Sequence, residues 1–480
     1  MKKYIILALC MPFLLTVESA AQIRVYPEGS RTEHNDDYTV CVRRAGSNDA
    51  WSDLFEYKVD VDMDNVQTAS MVQFDMGSPV EVRIRKNNGD LLRTDVRPLS
   101  KQVAFKQEKN SVTLTLQKPQ YLSVEFNGDR LHNLHLFANP LETETYNGTE
   151  QGVTAWSSND DNFFKKDLKV IYFGPGVHKP KDLPNNSIRI PSNTTVYLAA
   201  GALVQAKLVV DKSENVRIIG RGIIDHASRG VEVTNSKNVL IDGITVLNPD
   251  HYSVFGGGST GLTVKNLKSF SCKGWSDGID LMSCSDVLID NVFMRNSDDC
   301  IALYGHRWDY WGNSRNVVVQ NATLWADIAH PINIGGHGNY QSQGDTLENY
   351  VFRNIDILEH DEDDDPYQGC MAIGCGDKNL VRNVLFENIR VEDFQEGRLF
   401  HLSVNFNEKY NKAPGRGIEG IVFRNIVYNG TDARQSLIKG YDAQNAIKKI
   451  TFENVMINKE KMKDTKDFIV NEFVSGIKVK

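Results

Sequence analysis

The 480-residue chain lacks the features that mark several large classes of protein. Basic residues are not in excess, since the formal net charge is -8 and the pI is about 5.8. Phosphate binding needs a basic face, so nucleic acid is not expected as the main partner. Cysteine is scarce, with seven residues, and no two pairs have zinc-ligand spacing. The sequence therefore predicts neither a resident metal nor a cofactor.

Long apolar runs are also missing once the N-terminus is passed. Lys2 and Lys3 precede an apolar stretch over residues 4–17, and small residues follow at Ser19-Ala20-Ala21. This run is too short to span a bilayer comfortably, and its order is that of a cleaved secretory signal. We therefore predict a signal peptide over residues 1–21, no membrane span, and a secreted or periplasmic protein that begins at Gln22.

The region from residue 22 to about 125 alternates apolar and polar residues in short runs. Examples are residues 55–59, 80–84 and 112–116, with turns at Asn88-Gly89 and Asn127-Gly128. Period-two alternation with Asn-Gly turns is typical of antiparallel strands that have one solvated face. A polar segment rich in Thr, Asn, Gly and Ser follows over residues 143–161. We predict a β-sandwich domain with its linker over residues 22–160.

From about Lys169 the chain repeats a short apolar strand that ends in Asn followed by an apolar residue. The equivalent asparagines are Asn266, Asn291, Asn321, Asn354, Asn388, Asn425 and Asn454. Intervals of 25 to 37 residues indicate a solenoid, and strand-rich repeats without helical periodicity indicate a parallel β-helix. Asn suits a fixed turn because it tolerates left-handed φ and its amide can bond the Asn of the next coil. The prediction is an all-β protein, with a β-helix over residues 165–480.

Two neighbouring repeats carry an unusual concentration of carboxylates. The first has Ser276-Asp277-Gly278-Ile279-Asp280 and the second has Asp298-Asp299-Cys300-Ile301-Ala302, at similar phases of the repeat. Stacked strands lie about 4.8 Å apart, so these carboxylates should crowd together and raise one pKa while another group stays ionised. Glycoside hydrolysis needs such an acid and such a base. Turn capping and calcium binding are the alternative roles for an Asp-Asp pair.

These motifs resemble those of glycoside hydrolase family 28, the polygalacturonases. The related family 49, the dextranases and isopullulanases, shares the fold and the aspartate cluster, and joins a sandwich to its β-helix. The resemblance implies a right-handed parallel β-helix and an inverting mechanism, with Asp298 as general acid and Asp277 and Asp299 as bases. Asp280 would be structural. Inversion is associated with carboxyl groups about 6.5–9.5 Å apart.

Family 28 also has a histidine on the next coil, and two residues compete for that position. His337 matches by its Gly-His-Gly context, whereas His330 matches by phase because it precedes Pro331-Ile332-Asn333-Ile334-Gly335. The phase argument favours His330 as the catalytic residue and leaves His337 as a substrate-binding candidate. A turn histidine bonded to backbone is the alternative for either.

One departure from family 28 concerns the substrate. Polygalacturonases continue with Arg-Ile-Lys, whose cations hold the substrate carboxylate, but the matching stretch here is Met371-Ala372-Ile373-Gly374. A neutral sugar fits this loss better, so a dextranase-like enzyme acting on an α-glucan is the first expectation. A polygalacturonase-like, pectin-degrading hydrolase is the alternative.

Aromatic residues cluster beside the expected acid and are typical of sugar-binding sites, where flat rings stack on pyranose faces. The candidates for substrate binding are Trp275, Tyr304, His306, Arg307, Trp308 and Tyr310, together with His337. Ordinary loop packing would explain the same residues.

Two further possibilities concern the class of protein. A polysaccharide lyase needs a basic residue as its catalytic base, and the acidic strip supplies none. A non-catalytic carbohydrate-binding β-helix would explain the solenoid and the aromatics but not the doubled aspartate motif. The acidic run over residues 361–365 is either solvated or a calcium site, and it would repel a polyuronate if it lined the cleft. The sequence therefore predicts an enzyme whose partner is a polysaccharide or oligosaccharide.

Overall fold

The computed structural model describes residues 23–27, 33–157, 163, 167–180, 183–365 and 367–480. The predicted signal peptide, residues 1–21, lies outside these ranges. Within them the regular structure is β-strand, with 3-10 turns such as Leu99–Lys101 and Pro184–Asn186 and no α-helix. The predicted all-β class is therefore confirmed. No helix in this part of the chain is long and apolar enough to cross a membrane.

The N-terminal part is a sandwich of two sheets that enclose an apolar core. Its strands are β1 Ile23–Val25, β2 Tyr38–Arg44, β3 Ser52–Asp53, β4 Tyr57–Val61, β5 Gln67–Met76, β6 Val80–Lys86, β7 Thr94–Arg97, β8 Ala104–Gln107, β9 Ser111–Leu116, β10 Gln120–Phe126 and β11 Asp129–Pro140. One sheet has the order β1-β5-β11-β10-β7 with β4 also paired to β5, and the other has the order β3-β2-β6-β9-β8.

Local sequence explains how these strands connect and face the core. On β9 the side chains of Val112, Leu114 and Leu116 are fully buried, and the residues between them are partly exposed. Asn127 and Gly128, with φ of 61° and 81°, turn the chain between β10 and β11, which is the geometry that Asn-Gly favours in a tight hairpin. One pair differs from the antiparallel expectation, because β5 and β11 run parallel.

The rest of the chain winds into a right-handed parallel β-helix with three faces. The first face contains β13 Val170–Phe173, β16 Thr195–Leu198, β19 Glu214–Gly220, β22 Lys237–Asp242, β25 Thr260–Lys265, β28 Ser285–Asp290, β33 Ser314–Gln320, β36 Thr346–Glu359, β38 Leu380–Val391, β40 Gly417–Tyr428 and β42 Ile447–Ile457. It begins with β12 Val153–Ala155, which pairs with β13. The coils therefore start inside the stretch predicted to be a linker, because Val153 and Thr154 are β-branched residues that favour a strand.

The other two faces are built the same way. The second contains β14 Gly176–His178, β17 Ala202–Val204, β20 Ile223–Asp225, β23 Thr245–Leu247, β26 Lys268–Phe270, β29 Phe293–Ser297 and β34 Thr323–Ile328. The third contains β15 Ser187–Arg189, β18 Lys207–Asp211, β21 Val231–Thr234, β24 Val254–Gly257, β27 Ile279–Met282, β30 Ile301–Tyr304, β35 Ile332–Ile334, β37 Gly369–Cys375, β39 Arg398–Val404, β41 Leu437–Lys439 and β44 Ile469–Val470. Outside this pattern lie the hairpin of β31 His306–Arg307 and β32 Tyr310–Trp311, and β43 Glu460–Lys461, which is antiparallel to the end of β42. The terminal strands β45 Val474–Ser475 and β46 Lys478–Val479 pair parallel with β42 and continue the first face.

The predicted asparagine ladder is confirmed at the corner between the first and second faces. The seven asparagines named from the sequence have φ between 52° and 56°. The side-chain amide of Asn291 donates to Asn266 Oδ1 at 2.7 Å, and that of Asn354 donates to Asn321 Oδ1 at 2.6 Å. A second ladder, not foreseen, lies between the third and first faces, where Asn238 donates to Asn215. Both ladders hold successive coils in register.

The sandwich packs against the second face of the β-helix through a second apolar core. Phe137 on β11 contacts the outward side chains of this face, including Phe270 and Phe293, with ring centroids 6.0 and 5.0 Å away. A buried ion pair adjoins this core, because Arg295 bonds Asp327 at 3.0 Å and also donates to Asn133 of the sandwich. The sandwich and the β-helix are thus joined by a buried interface.

Candidate active site

The predicted acidic residues meet at the corner between the second and third faces. Ile279, Ile301 and Ile332 are paired across neighbouring coils. The residues two positions before them therefore occupy equivalent positions on three successive coils. Those residues are Asp277, Asp299 and His330. Their backbones continue the ladder, since Gly278 N–H donates to Asp299 O and Cys300 N–H to His330 O, both at 2.8 Å.

Asp298 is held on this corner by backbone donors. Its Oδ2 accepts from Trp275 N–H at 2.8 Å, and its Oδ1 accepts from Asp299 N–H at 3.0 Å. Asp298 is only partly buried, while Asp277 and Asp299 are each 4% exposed. Asp298 is therefore the carboxyl group of the three that is most open to the cleft.

Asp299 is surrounded by side-chain donors. His330 Nδ1 lies 2.6 Å from Asp299 Oδ1, and Asn333 Nδ2 donates to Oδ2 at 2.8 Å. His330 Nε2 faces the carbonyl of Tyr367, so both ring nitrogens have acceptors and suit a doubly protonated imidazole. His337 lies on the cleft wall instead, 4.9 Å from the ring of Tyr304. The structure thus places His330, rather than His337, against the carboxylates.

These contacts separate the protonation states of the three aspartates. Burial and the charge of Asp299 raise the pKa of Asp298 to about 6. Burial and the surrounding carboxylates raise the pKa of Asp277 well above its usual value. Burial alone would also raise the pKa of Asp299, but the charge and hydrogen bond of His330 outweigh it and hold that pKa low. Because of the same pair, the pKa of His330 is raised to about 9 although burial opposes this. One site therefore holds both a protonatable acid and an ionised carboxylate.

The carboxyl groups are closer together than the inverting pattern implied. One oxygen from each of Asp277, Asp298 and Asp299 lies within 4.8 Å of the others, which is below the range of about 6.5–9.5 Å. The reason is that Asp277 and Asp299 hold one phase on adjacent coils, one strand spacing apart, and Asp298 adjoins Asp299 in the chain. Oxygens this close could also hold a cation, although those of Asp298 and Asp299 already accept hydrogen bonds from the protein.

A cleft of about 420 Å³ opens over these residues. Four of the predicted substrate-binding residues line it, namely Trp275, Tyr304, Arg307 and His337. Trp275 is 71% exposed beside Asp298, which leaves its indole face available to a sugar ring.

The comparisons with known proteins agree with this geometry. Residues 199–472, more than half of the chain, match the sequence family described as glycosyl hydrolases family 28. The chain belongs to this family of glycoside hydrolases. It is 24% identical to exopolygalacturonase B of Aspergillus niger over 261 residues, which cover 51% of this chain and 56% of that protein. It is 30% identical to exopolygalacturonase X of the same species over 126 residues, 26% of this chain and 23% of that protein. The matched segments thus span 23% and 56% of the length of these two relatives.

Two solved structures share the fold. Dex49A from Penicillium minioluteum superposes with a TM-score of 0.72 at 15% identity, over 95% of this chain and 96% of that one. The family 28 exopolygalacturonase of Yersinia enterocolitica superposes with a TM-score of 0.54 at 12% identity, over 83% of this chain and 96% of that one. At such identities the likeness is one of fold. This family 28 chain thus resembles, in its whole two-part layout, a structure with the family 49 designation.

Three of the predicted substrate-binding residues of this family 28 chain lie outside the cleft lining. His306, Trp308 and Tyr310 belong to the β31–β32 hairpin, which folds back over β24. The Tyr310 ring covers Gly257, where a Cβ would come within 2.6 Å of it, and Trp308 packs on Phe255 with ring centroids 5.6 Å apart. The rings of Trp308 and Tyr310 thus pack on β24 beside the cleft, whereas Arg307 of the same hairpin lines it.

Sequence reasoning missed several side chains of the cleft. Asn333 lies between two buried isoleucines on β35, so period-two alternation predicts that its side chain points outward. In the structure the outward side is where Asp299 lies. Glu362 lies 3.8 Å from His330 Nδ1, and Lys409 and Tyr410 form another wall. Met63 comes from the sandwich, and no sequence signal links it to residues more than 200 positions away.

The departure from the family 28 substrate motif is visible in the strand register. Asn333 and Ile334 pair with Ala372 and Ile373, so the stretch that the resemblance matches to Arg-Ile-Lys lies on the coil after His330 and carries no cation at Ala372 or Gly374. The acidic run also contributes to the cleft, because Glu362, Asp363 and Asp364 line it. Cations remain elsewhere in the lining, at Arg307 and Lys409.

Proposed function

We propose that the protein hydrolyses α-linked galacturonide chains of the pectin type, as an exported enzyme that inverts the anomeric carbon. The observation that carries the chemistry is the pairing of a carboxyl group of raised pKa, Asp298, with an ionised carboxylate, Asp299, in one cleft. Family 28 membership and the names of the exopolygalacturonase relatives support the substrate.

In this mechanism Asp298 donates its proton to the glycosidic oxygen as the bond to the anomeric carbon breaks. Asp299 accepts the proton of the attacking water, and its ionised form is maintained by His330 and Asn333. Asp277, which holds a proton more readily, would bind the same water by hydrogen bonding. Each proton transfer of this kind contributes about 10²–10⁴-fold to the rate.

The uronate carboxylate would be bound by cations other than those of the Arg-Ile-Lys motif. Arg307 is half-buried in the cleft and donates to the Tyr252 hydroxyl, which leaves further guanidinium donors for a bidentate contact. Lys409 lies on another wall, above the ring of Tyr410 at 4.7 Å. Arg307 and Lys409 are the Arg and Lys side chains of this cleft lining.

The test is reducing-end release from polygalacturonate, methyl-esterified galacturonan and dextran, with Asp298→Asn as the inactive control. We expect the wild type to release more reducing ends from polygalacturonate than from the methyl-esterified polymer. On polygalacturonate, Arg307→Ala and Lys409→Ala should each release fewer reducing ends than the wild type. Cleavage of polygalacturonate that both alanine variants retain in full would contradict the carboxylate assignment. No release from polygalacturonate would contradict the proposed substrate.

A second candidate is hydrolysis of a neutral α-glucan by a dextranase-like enzyme. Two observations favour it: Ala372 and Gly374 replace the cations, and Glu362, Asp363 and Asp364 would repel a polyanion. Release from dextran alone in the same panel would select this candidate.

Export and the domain limits are part of the proposal. The order of charged, apolar and small residues over 1–21 supports a cleaved signal, and a polymeric substrate would be met outside the cytoplasm. Between the two domains, we place the boundary after Pro140, where β11 ends, and before Val153, where the coils begin. N-terminal sequencing of the exported protein should read from Gln22, and an intact Met1 would contradict this export route.

A further inference from the structure

The turn between β4 and β5 reaches from the sandwich into the hydrolytic cleft. Met63 lines the cleft together with Trp275 and the three aspartates. Its sulfur lies 3.9 Å from the position that a Cβ on Gly274 would occupy. The N-terminal domain, which carries no catalytic motif, thus forms part of the wall beside the general acid.

This turn is rigidly built. Asp62 has a φ of 57° and its Oδ1 accepts from the backbone N–H groups of Asp64 and Asn65, at 3.2 and 3.1 Å. Such an Asx turn fixes the direction of the residue that follows Asp62. Met63 is therefore presented to the cleft by the local fold of the sandwich itself.

The turn is also fastened to the strands that carry the acid. Met63 N–H donates to Ser297 Oγ at 3.1 Å, next to Asp298 in the chain, and Asp62 N–H donates to Asp327 Oδ2 at 3.2 Å. Asp327 is paired with Arg295 in the buried interface between the two domains. Docking of the sandwich and placement of Met63 are consequently a single event.

We propose that Met63 is a substrate-binding residue for the sugar ring bound beside Asp298, and so that the sandwich completes the substrate site. A thioether offers a soft, adaptable contact to the C–H face of a pyranose, opposite polar groups that bond its hydroxyls. The proposal rests on the proposed hydrolysis of a glycan in this cleft, but it holds for a uronate and for a neutral sugar alike.

The test compares Met63→Ala with Met63→Leu and with Val66→Ala. Val66 is the matched control because it lies on the same turn, is 59% exposed and does not line the cleft. Loss of an apolar contact in a sugar pocket should lower kcat/KM by about ten-fold, mainly through KM, with kcat within about two-fold. Met63→Leu should retain most activity, and all three variants should melt at the wild-type temperature.

Equal kinetics for Met63→Ala and Val66→Ala would overturn the proposal. The measurement is made on whichever polysaccharide of the panel the wild type cleaves, so failure on polygalacturonate contradicts the proposed substrate and not the role of Met63. A second readout needs no turnover: in Asp298→Asn, saturating oligosaccharide should slow peroxide oxidation of Met63, measured by mass spectrometry of its peptide. Oxidation at an unchanged rate with sugar bound would also overturn the proposal.

Discussion

His330 Nδ1 lies 2.6 Å from Asp299 Oδ1, and both side chains are almost fully buried on adjacent coils. A buried ion pair of this kind is costly to break, because removing one partner leaves the other charge without compensation. The pair therefore controls which carboxyl group of the cluster is ionised, and several measurements follow from it.

Replacing His330 should impair catalysis far more than replacing His337. In His330→Ala the pKa of Asp299 should rise towards those of Asp277 and Asp298, so the base is lost and kcat falls by roughly 10²-fold. His337 contacts the cleft wall, and His337→Ala should alter KM more than kcat. The measurement is kcat and KM for both variants on one substrate. A reversed order of effects would show that the Gly-His-Gly histidine is the functional one.

Asp298→Asn should remove nearly all hydrolysis while leaving the fold intact. The amide cannot donate a proton to the leaving oxygen, so a loss of about 10²–10⁴-fold is expected. Asp309→Asn, at an exposed position on the neighbouring hairpin, is the matched control and should keep full activity. Circular dichroism of both proteins tests the fold, and substantial activity in Asp298→Asn would refute the acid assignment.

The same variant should be more stable than the wild type at neutral pH. The folded pKa of Asp298 is about 6, above its usual 3.8. Because this pKa is raised, the protonated Asp298 increases the free energy of unfolding below about pH 4, and this contribution is lost as the pH rises through 6. Asn resembles the protonated acid, so its advantage should be absent at pH 4 and reach the order of 2 kcal/mol at pH 8. Thermal unfolding of both proteins across this range tests it, and an advantage that does not change with pH would argue against desolvation of Asp298.

Proton NMR of the first product should show an inverted anomer. One oxygen from each of the three aspartates lies within 4.8 Å of the others, a spacing nearer to that of retaining enzymes. We attribute it to the coil spacing, with Asp277 and Asp299 sharing one water on the face opposite the leaving group. A retained anomer at early times would instead identify one of these carboxylates as a nucleophile.

Asn354 tests the ladder that holds the coils together. Asn354→Ala loses the bond to Asn321 and puts alanine, which adopts left-handed φ less readily than asparagine, at a φ of 54°, so unfolding should become easier by about 2 kcal/mol. Asn354→Gly also loses the bond, but glycine adopts left-handed φ without strain, so this variant should lose less free energy of unfolding. Chemical denaturation of both variants measures the difference, and an equal cost would mean that the amide bond alone matters.

The sequence predicted the solenoid well because its determinants are local. Each asparagine corner needs left-handed φ and an amide, and both requirements are written in one residue type. The carboxylate cluster was also predictable, since Asp277 and Asp299 are carboxylates at a phase where other coils have Arg229, Tyr252 and Gly369. Counting forward from the asparagines gives unequal offsets, because eight residues separate β26 from β27 but only three separate β29 from β30. Counting back from Ile279, Ile301 and Ile332 gives the common phase.

The remainder of the site depends on contacts that no local pattern encodes. Met63 reaches the cleft only because the sandwich docks on the second face. Trp308 and Tyr310 look like sugar-binding residues in the sequence, but their hairpin folds onto Gly257. Whether an exposed aromatic loop turns towards the acid or away from it is decided by the neighbouring coil.

The asparagine corner also determines where this molecule can change. Coils differ by as much as fifteen residues in length, since the paired residues Val196 and Ile218 are 22 apart and Leu385 and Val422 are 37 apart. Across that corner the chain passes from the first face to the second in two or three residues, or without leaving the strand. Insertions therefore accumulate at the two borders of the third face, where the cleft is. Loops around the carboxylates can therefore change in length while the strand register at the asparagine corner stays the same. The substrate specificity of such a fold can change without a change in its coils.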